Sequence, residues 1–119
     1  MSVPVDLETL KTQSEQFGAL AYLVSVNGDG RPHVVSAAVE WHDDRIVAGA
    51  GRRTAANVGE RPAVTLLWPP YEEGGFSLLV DGVASLDGEQ LRIAPEGAIL
   101  HRTATSETGR RSSDCADVA

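Results

Sequence analysis

The amino-acid sequence predicts a mainly β protein, an antiparallel barrel or sandwich of six short strands. Three observations support this fold class. Six short segments are apolar and contain many β-branched residues. Gly, Pro, Asn or Asp residues that favour turns separate these segments, and only two stretches have helical character. The 119 residues of the chain fit a single domain.

The first third of the chain predicts a helix followed by a β-hairpin. A short helix is expected over residues 6–17, because Asp6 is a capping residue and the leucines that follow share one face. Residues 19–26 and 33–41 are apolar strand segments. The Asn-Gly-Asp-Gly sequence at 27–30 tolerates positive φ angles and therefore predicts the tight turn between them.

Three further strands follow, with one short connecting helix. Residues 45–50 predict the third strand, and residues 55–59 form at most a short helix that ends before a proline. Residues 63–68 predict the fourth strand. The fifth spans residues 76–86, and Gly82 inside it predicts a bend or bulge.

The last strand and the C-terminal segment set the expected domain boundary. The sixth strand is expected to begin over residues 90–93, to be interrupted at Pro95 and to resume over 98–100. The remaining residues are polar and have almost no apolar anchor. We therefore predict a domain of residues 1–102 and a flexible tail of residues 103–119.

Charge and composition exclude several classes of function. The net charge of −7 and the absence of a basic stripe argue against nucleic-acid binding. The single cysteine, Cys115, cannot form an internal disulfide, and no secretory signal or membrane-spanning apolar stretch is visible. These features predict a cytoplasmic protein that has neither nucleic acid nor a membrane as a partner.

Several predicted strands are continuous apolar runs, which is typical of strands that are covered on both faces. The barrel interior covers only one face. A helix or a second subunit must cover the other, so we expect a homodimer.

The most informative segment is a glycine-rich exit from the third predicted strand. Gly49 and Gly51 let a ligand approach the backbone, and Arg52 and Arg53 carry forked donors that suit phosphate oxygens. Thr54 is expected to cap a helix start, which attracts anions. The same pattern also fits a glycine-rich turn with two solvated arginines, and the residues alone leave both interpretations open.

The order of motifs over about residues 17–101 resembles the pyridoxamine 5′-phosphate oxidase-like family. The resemblance is carried by the Asp-Gly-Arg-Pro turn at 29–32, the Gly-Arg-Arg-Thr-Ala-Ala-Asn-Val segment at 51–58, Gly-Glu-Arg-Pro at 59–62 and Ala-Val-Thr-Leu-Leu-Trp at 63–68. It implies a six-stranded antiparallel split β-barrel with a short N-terminal helix and one short connecting helix.

The resemblance also implies a cofactor, FMN or alternatively the deazaflavin F420, at the interface of a homodimer. Arg53 matches the family's first phosphate-binding position, and Thr54 stands where a second basic residue is usual. The positions implied to contact the cofactor are Ser36, Ala37, Ala38, Val47, Ala48, Arg52, Arg53, Thr54 and Asn57. The implied function is a flavin- or deazaflavin-dependent oxidoreductase that transfers hydride to or from a small organic substrate.

Two alternatives remain at this stage, a non-catalytic dimer that binds a flavin or phosphorylated ligand, and a barrel that has lost its cofactor. The sequence assigns no catalytic acid or base, which suits chemistry carried by a cofactor. His33, His42 and His101 lack metal-ligand spacing, so no metal site is predicted. Trp68 and Tyr71, in an aromatic cluster with two prolines, are expected in the core, in a dimer interface or over the flavin ring.

Overall fold

A computed structural model describes residues 1–103 of the chain. The predicted tail, apart from Thr103, lies outside the described residues. In chain order the elements are β1 (Ser2–Pro4), α1 (Leu7–Phe17), β2 (Leu20–Val26), β3 (Pro32–His42), β4 (Arg45–Gly49), α2 (Arg52–Glu60), β5 (Ala63–Trp68), β6 (Ser77–Asp87) and β7 (Gln90–His101).

Six of the strands close into an antiparallel barrel. The hydrogen-bonded order is β7-β4-β3-β2-β5-β6, and β6 pairs again with β7, so the sheet has no open edge across these six strands. The short strand β1 pairs with the second half of β7, whereas β4 pairs with its first half. The predicted mainly β, six-stranded split barrel with two helices is therefore confirmed, with one strand more than the sequence predicted.

Alternating side chains of the strands fill the barrel interior. Each strand places every second residue inward, as the period of two requires. The largest buried apolar side chains of the interior are Leu23, Ile46, Leu66, Trp68, Leu78, Val80, Leu91 and Ile93. This continuous apolar cluster is the core against which both helices pack.

Each of the two tryptophans joins its strand to α1 or to the residue after it by a hydrogen bond from the indole. The indole Nε1 of Trp68, which is buried, donates to the carbonyl of Gly18 at 2.9 Å. The Nε1 of Trp41 donates to Ser14 Oγ on α1 at 2.9 Å. Trp68 is thus a core residue, and the alternative that it covers a ligand ring is wrong.

The irregular centre of β6 and β7 differs in part from the expectation. The register shifts between Asp81 and Gly82, so the predicted bulge is confirmed. However, β7 runs without interruption through Pro95, which lies opposite Gly82. Pro95 is tolerated because the register is irregular at that point and the missing N–H does not stop the pairing on either side.

The helix α2 is longer than predicted and begins three residues earlier, at Arg52. Arg61, the residue after it, donates from Nε to the carbonyl of Val26 at 2.9 Å, which ties the helix to the end of β2. Neither helix within residues 1–103 is long and apolar enough to cross a membrane.

Candidate functional site

The turn from β4 into α2, which we call the open corner, leaves its backbone accessible at two glycines. The strand ends at Gly49, and the N–H of Ala50 donates to the carbonyl of Glu89 at 3.0 Å, which holds the turn against the β6–β7 connection. A Cβ atom built on Gly49 or on Gly51 meets no heavy atom within 4 Å. The space in front of these two glycines is therefore free for a ligand that approaches the main chain.

The first turn of α2 presents backbone donors to this corner. Gly51 is the N-cap in an extended conformation, and no side chain caps the helix. The first intrahelical bond runs from the N–H of Ala55 to the carbonyl of Gly51 at 2.9 Å. The earlier N–H groups of a helix have no intrahelical acceptor and carry a partial positive charge. The prediction that Thr54 is the N-cap is wrong, since it is the third residue of the helix.

Arg52 and Arg53 are both exposed, at the first two positions of α2. Among the residues that the structure describes, no carboxylate lies within 4.0 Å of either guanidinium. Arg31, Arg45 and Arg61 each have such a neighbour, at 4.0, 3.0 and 3.0 Å. In a chain with 17 acidic and 10 basic residues, two adjacent arginines without an acidic neighbour form a locally positive surface.

Thr54 and Asn57 lie on the opposite side of the helix and are each 2% exposed. The Nδ2 of Asn57 donates to Ser25 Oγ at 3.1 Å and to Asn27 Oδ1 at 2.9 Å. These bonds use both N–H groups of the amide and join α2 to the β2–β3 hairpin. The side chain of Asn57 therefore faces the barrel rather than the corner in front of the glycines.

The predicted ring-contact positions on β3 alternate between the two faces of the sheet. Ser36 and Ala38 are exposed on the outer face, whereas Ala37 points inward and is 8% exposed. Ala38 lies opposite Leu20 across the β2–β3 pair. Only the outward residues can present side chains to a ligand on the surface of the barrel.

The two predicted positions on β4 are buried in different ways. Ala48 points into the core between Val39 and Leu91. Val47 is 2% exposed but lies in the outer-face row between Glu40 and Arg92, outside the core cluster. A ligand at these positions would meet mainly the backbone of β4.

The nine predicted residues thus separate into two groups. Ser36, Ala38, Arg52 and Arg53 are exposed, and Ala37, Val47, Ala48, Thr54 and Asn57 are buried. Sequence reasoning did not single out Ser25, which is 1% exposed and accepts the bond from Asn57. Its only signal in the sequence is a hydroxyl inside the otherwise apolar segment 19–26.

The histidines do not assemble a metal site in the described part of the chain. His42 Nε2 lies 3.0 Å from Glu40 Oε1, and His101 Nδ1 lies 3.2 Å from Ser2 Oγ. No group of three His, Cys, Asp or Glu residues within 1–103 is arranged to hold a metal ion.

The outer face of β2, β3, β5 and β6 carries several exposed apolar side chains, with Ser36, Thr65 and Asp81 among them. Leu20 is 67% exposed, Val34 55% and Tyr22 44%. The pairing places Tyr22 beside Ser36 and Leu67, and Val24 beside Val34. We call this surface the outer apolar face; its residues are Leu20, Tyr22, Val24, Val34, Leu67, Leu79 and Val83. Exposed apolar side chains grouped on one face are common at contact sites on proteins.

Two mycobacterial proteins are similar to this chain in sequence. An uncharacterized protein of Mycobacterium bovis and one of Mycobacterium tuberculosis are each 31% identical over 128 aligned residues, covering 93% of this chain and 89% of the relative. No family model matches the chain.

Solved structures of other proteins have the same fold. A protein of the pyridoxinephosphate oxidase family from Clostridium acetobutylicum aligns with a TM-score of 0.64 and 11% identity, over 82% of this chain and 91% of that chain. An FAD-binding protein from Mesorhizobium loti aligns with a TM-score of 0.64 and 16% identity, over 86% and 98%.

Two other solved structures of this fold have different ligands in their names. An F420 reductase aligns with a TM-score of 0.52 and 16% identity, over 72% of this chain and 87% of that chain. HutZ, a heme storage protein from Vibrio cholerae, aligns with a TM-score of 0.59 and 17% identity, over 82% and 96%.

Proposed function

The chain belongs to one family with the two mycobacterial proteins and has the split β-barrel fold of the pyridoxamine 5′-phosphate oxidase-like proteins, and from this premise we propose that it is a flavin-dependent oxidoreductase. FMN is the proposed cofactor. Its phosphate would bind at the start of α2.

The observation that carries this proposal is the pair of exposed arginines at the open corner. Arg52 and Arg53 have no carboxylate within 4.0 Å in the described range, and the glycines before them leave the backbone accessible. Guanidinium groups bind phosphate through paired N–H donors, and a helix start adds backbone donors to the same anion. A phosphate would thus meet two kinds of donor at one place.

The predicted cofactor positions on β3 and β4 suit the planar part of a cofactor. Ser36 and Ala38 are small and exposed on β3, so a ring can approach the sheet closely, and the Ser36 hydroxyl can donate or accept a hydrogen bond. Val47 and Ala48 would contribute main-chain contacts. When bound, the flavin supplies hydride transfer, and the protein supplies binding, orientation and electrostatics.

F420 is the alternative cofactor, because an F420 reductase shares the fold and because the deazaflavin also has an anionic tail that the same arginines suit. A direct test is the absorbance spectrum of the purified protein, with mass analysis of any ligand released on denaturation. FMN, F420 and heme have distinct spectra, so this measurement identifies the class of ligand. Turnover with the reduced cofactor then separates an oxidoreductase from a non-catalytic binding protein.

The phosphate contact is tested by titrating FMN and riboflavin against the native protein and Arg53→Ala. Loss of one charge-assisted hydrogen bond costs about 1.5–3 kcal/mol, which weakens FMN binding about ten- to hundredfold. Riboflavin lacks the phosphate, so its affinity should be nearly unchanged by the substitution. Arg31→Ala, which removes an exposed arginine beside Asp29, is the matched control and should leave both affinities unchanged. Equal FMN affinity in native and Arg53→Ala protein would exclude the phosphate contact.

We further propose that two copies of the chain associate through the outer apolar face, next to the open corner. Ala38, at the predicted ring position, lies opposite Leu20 of that face, so the same association would border the ligand. Leu20→Asp should convert the dimer to a monomer in light scattering after gel filtration, because a charge would be buried without a partner. Leu7→Asp is the control, since Leu7 is 46% exposed on α1, away from this face. A native chain that elutes as a monomer would contradict the proposal.

A further inference from the structure

A second candidate ligand site lies away from the open corner at the start of α2. It is a cavity of about 340 Å³ between the end of α1, the loop that joins β5 to β6, and the end of β7. None of its lining residues belongs to β4 or α2. Its volume is at the lower end of the usual range for small-molecule sites, about 300–1,000 Å³, and corresponds to a ligand of one or two rings.

Aromatic side chains form the apolar part of this cavity. The rings of Phe17 and Tyr71 meet edge to face, with centroids 5.5 Å apart and an interplanar angle of 68°. Tyr71 is 71% exposed, so most of its ring is available to a ligand. Such a pair offers both a ring face and a ring edge, the two arrangements in which aromatic groups stack.

The loop that carries Tyr71 has a defined conformation. The N–H of Gly75 donates to the carbonyl of Glu72 at 3.0 Å, which closes a turn. Gly74 has a φ of 81°, in the left-handed region that favours glycine. A Cβ on Gly75 would lie 3.1 Å from the carbonyl oxygen of Glu72, so the loop packs closely on itself.

Arg102 is a fixed cation at the edge of the cavity. Its guanidinium carbon lies 4.7 Å from the centroid of the Phe76 ring. Its backbone N–H donates to the carbonyl of Met1 at 3.0 Å, and its carbonyl accepts from the amino group of Met1 at 3.1 Å. Within residues 1–103, no carboxylate lies within 4.0 Å of this guanidinium. Its Nη2 donates to Met1 Sδ, a weak acceptor, at 3.7 Å. Stacking on a ring face leaves the other N–H groups at the edge of the guanidinium free to donate in its plane.

We propose that this cavity binds a small aromatic carboxylate, with its ring against Phe17 and Tyr71 and its carboxylate on Arg102. A planar guanidinium matches a carboxylate with two parallel hydrogen bonds. The amide side chains of Gln13 and Gln16 line the same cavity and can bond to polar substituents. Glu72 also lines it, and its negative charge favours an anion with one charge over a phosphate with two.

The experiment is an amide chemical-shift titration of the full-length protein with 2-naphthoate and with 2-naphthamide, its neutral counterpart of the same shape. Naphthoate should shift the amide signals of Phe17, Gly75 and Arg102 saturably, and should bind about ten- to hundredfold more tightly than naphthamide. Arg102→Gln should remove most of that difference while leaving naphthamide binding unchanged. Equal affinity for the two probes, or no saturable shift at these amides, would overturn the proposal.

Two further variants test the second site even if Arg102→Gln fails to fold or if the proposed FMN site is wrong. Arg102→Lys retains the charge without the fork, so it should bind naphthoate with an intermediate affinity even if Arg102→Gln proves unstable. Arg53→Gln should weaken FMN binding and leave naphthoate binding intact. If naphthoate instead shifts the amides of Gly49 and Gly51, it binds at the open corner and the second site is refuted.

Discussion

The buried contact between Asn57 and Ser25 makes a quantitative prediction about stability. Asn57 is 2% exposed and Ser25 is 1% exposed. The amide donates to the serine hydroxyl at 3.1 Å and to Asn27 Oδ1 at 2.9 Å. Asn57→Ala removes both bonds and leaves the hydroxyl of Ser25 without a side-chain partner in the described part of the chain.

The expected loss of stability follows from the polar groups that lose their hydrogen-bond partners. An unsatisfied buried hydroxyl costs about 1–3 kcal/mol, and loss of the bond to Asn27 adds about 1 kcal/mol. Asn57→Ala should therefore lower the free energy of unfolding by about 2–4 kcal/mol. That is a large fraction of the roughly 5–15 kcal/mol by which a domain is stable. Ser25→Ala should cost less, about 1–3 kcal/mol, because it leaves one N–H of the buried amide unpaired while the other keeps its bond to Asn27.

The assay is urea unfolding of the native protein, both single variants and the double variant, with the slope of the transition checked for constancy. The double-mutant cycle should give a coupling energy of about 1–2 kcal/mol between the two side chains. Gln90→Ala, at an exposed polar position on β7, is the control and should change stability by less than about 0.5 kcal/mol. Native stability with weakened FMN binding in Asn57→Ala would refute the reasoning, because it would place Asn57 among the ligand contacts.

Three other substitutions test the fold and the open corner. Gly82→Ala should destabilise the protein by about 1–3 kcal/mol in urea unfolding, because its Cβ would lie 2.6 Å from the carbonyl oxygen of Ala94; a native midpoint would contradict this close approach. Trp68→Phe should lose about 1–3 kcal/mol, since the bond to the carbonyl of Gly18 is lost and phenylalanine fills less space than the buried indole; an unchanged melting temperature would refute the role of that side chain. Gly49→Val should leave stability unchanged, because its Cβ meets no atom within 4 Å, but should weaken FMN binding in a fluorescence titration; retained affinity would show that the ligand does not approach this glycine.

The sequence by itself determined most of the local structure. Alternating and continuous apolar runs located β2 to β6 to within about one residue at each end, because a strand half-buried on a core needs that pattern. The turn before Pro32 could be predicted because it needs a residue with positive φ, here Gly30. The bulge at Gly82 could be predicted because glycine inside a strand pattern marks a close approach of two backbones. The charged start of α2 was also visible, as two adjacent arginines after a glycine.

Only the tertiary structure determined which face of α2 points toward the barrel. Thr54, Asn57, Val58 and Arg61 follow the spacing of a helix face directed at the barrel, but three of these four side chains are polar. A hydrophobic pattern cannot reveal a face whose partners are hydrogen-bond acceptors on another element, here Ser25, more than 30 residues away in sequence. Two of these side chains, Thr54 and Asn57, were therefore predicted to contact the ligand, although Asn57 bonds to the hairpin.

The N-terminal strand and the uninterrupted β7 were likewise decided by distant partners. Residues 2–4 have no strand signal of their own, and they are extended because they pair with residues 99–101 at the other end of the chain. Pro95 continues a strand because the bulge opposite it is irregular at that position. Local propensity is a property of neighbours in sequence, whereas register, helix rotation and pairing are set by contacts between residues that only folding brings together.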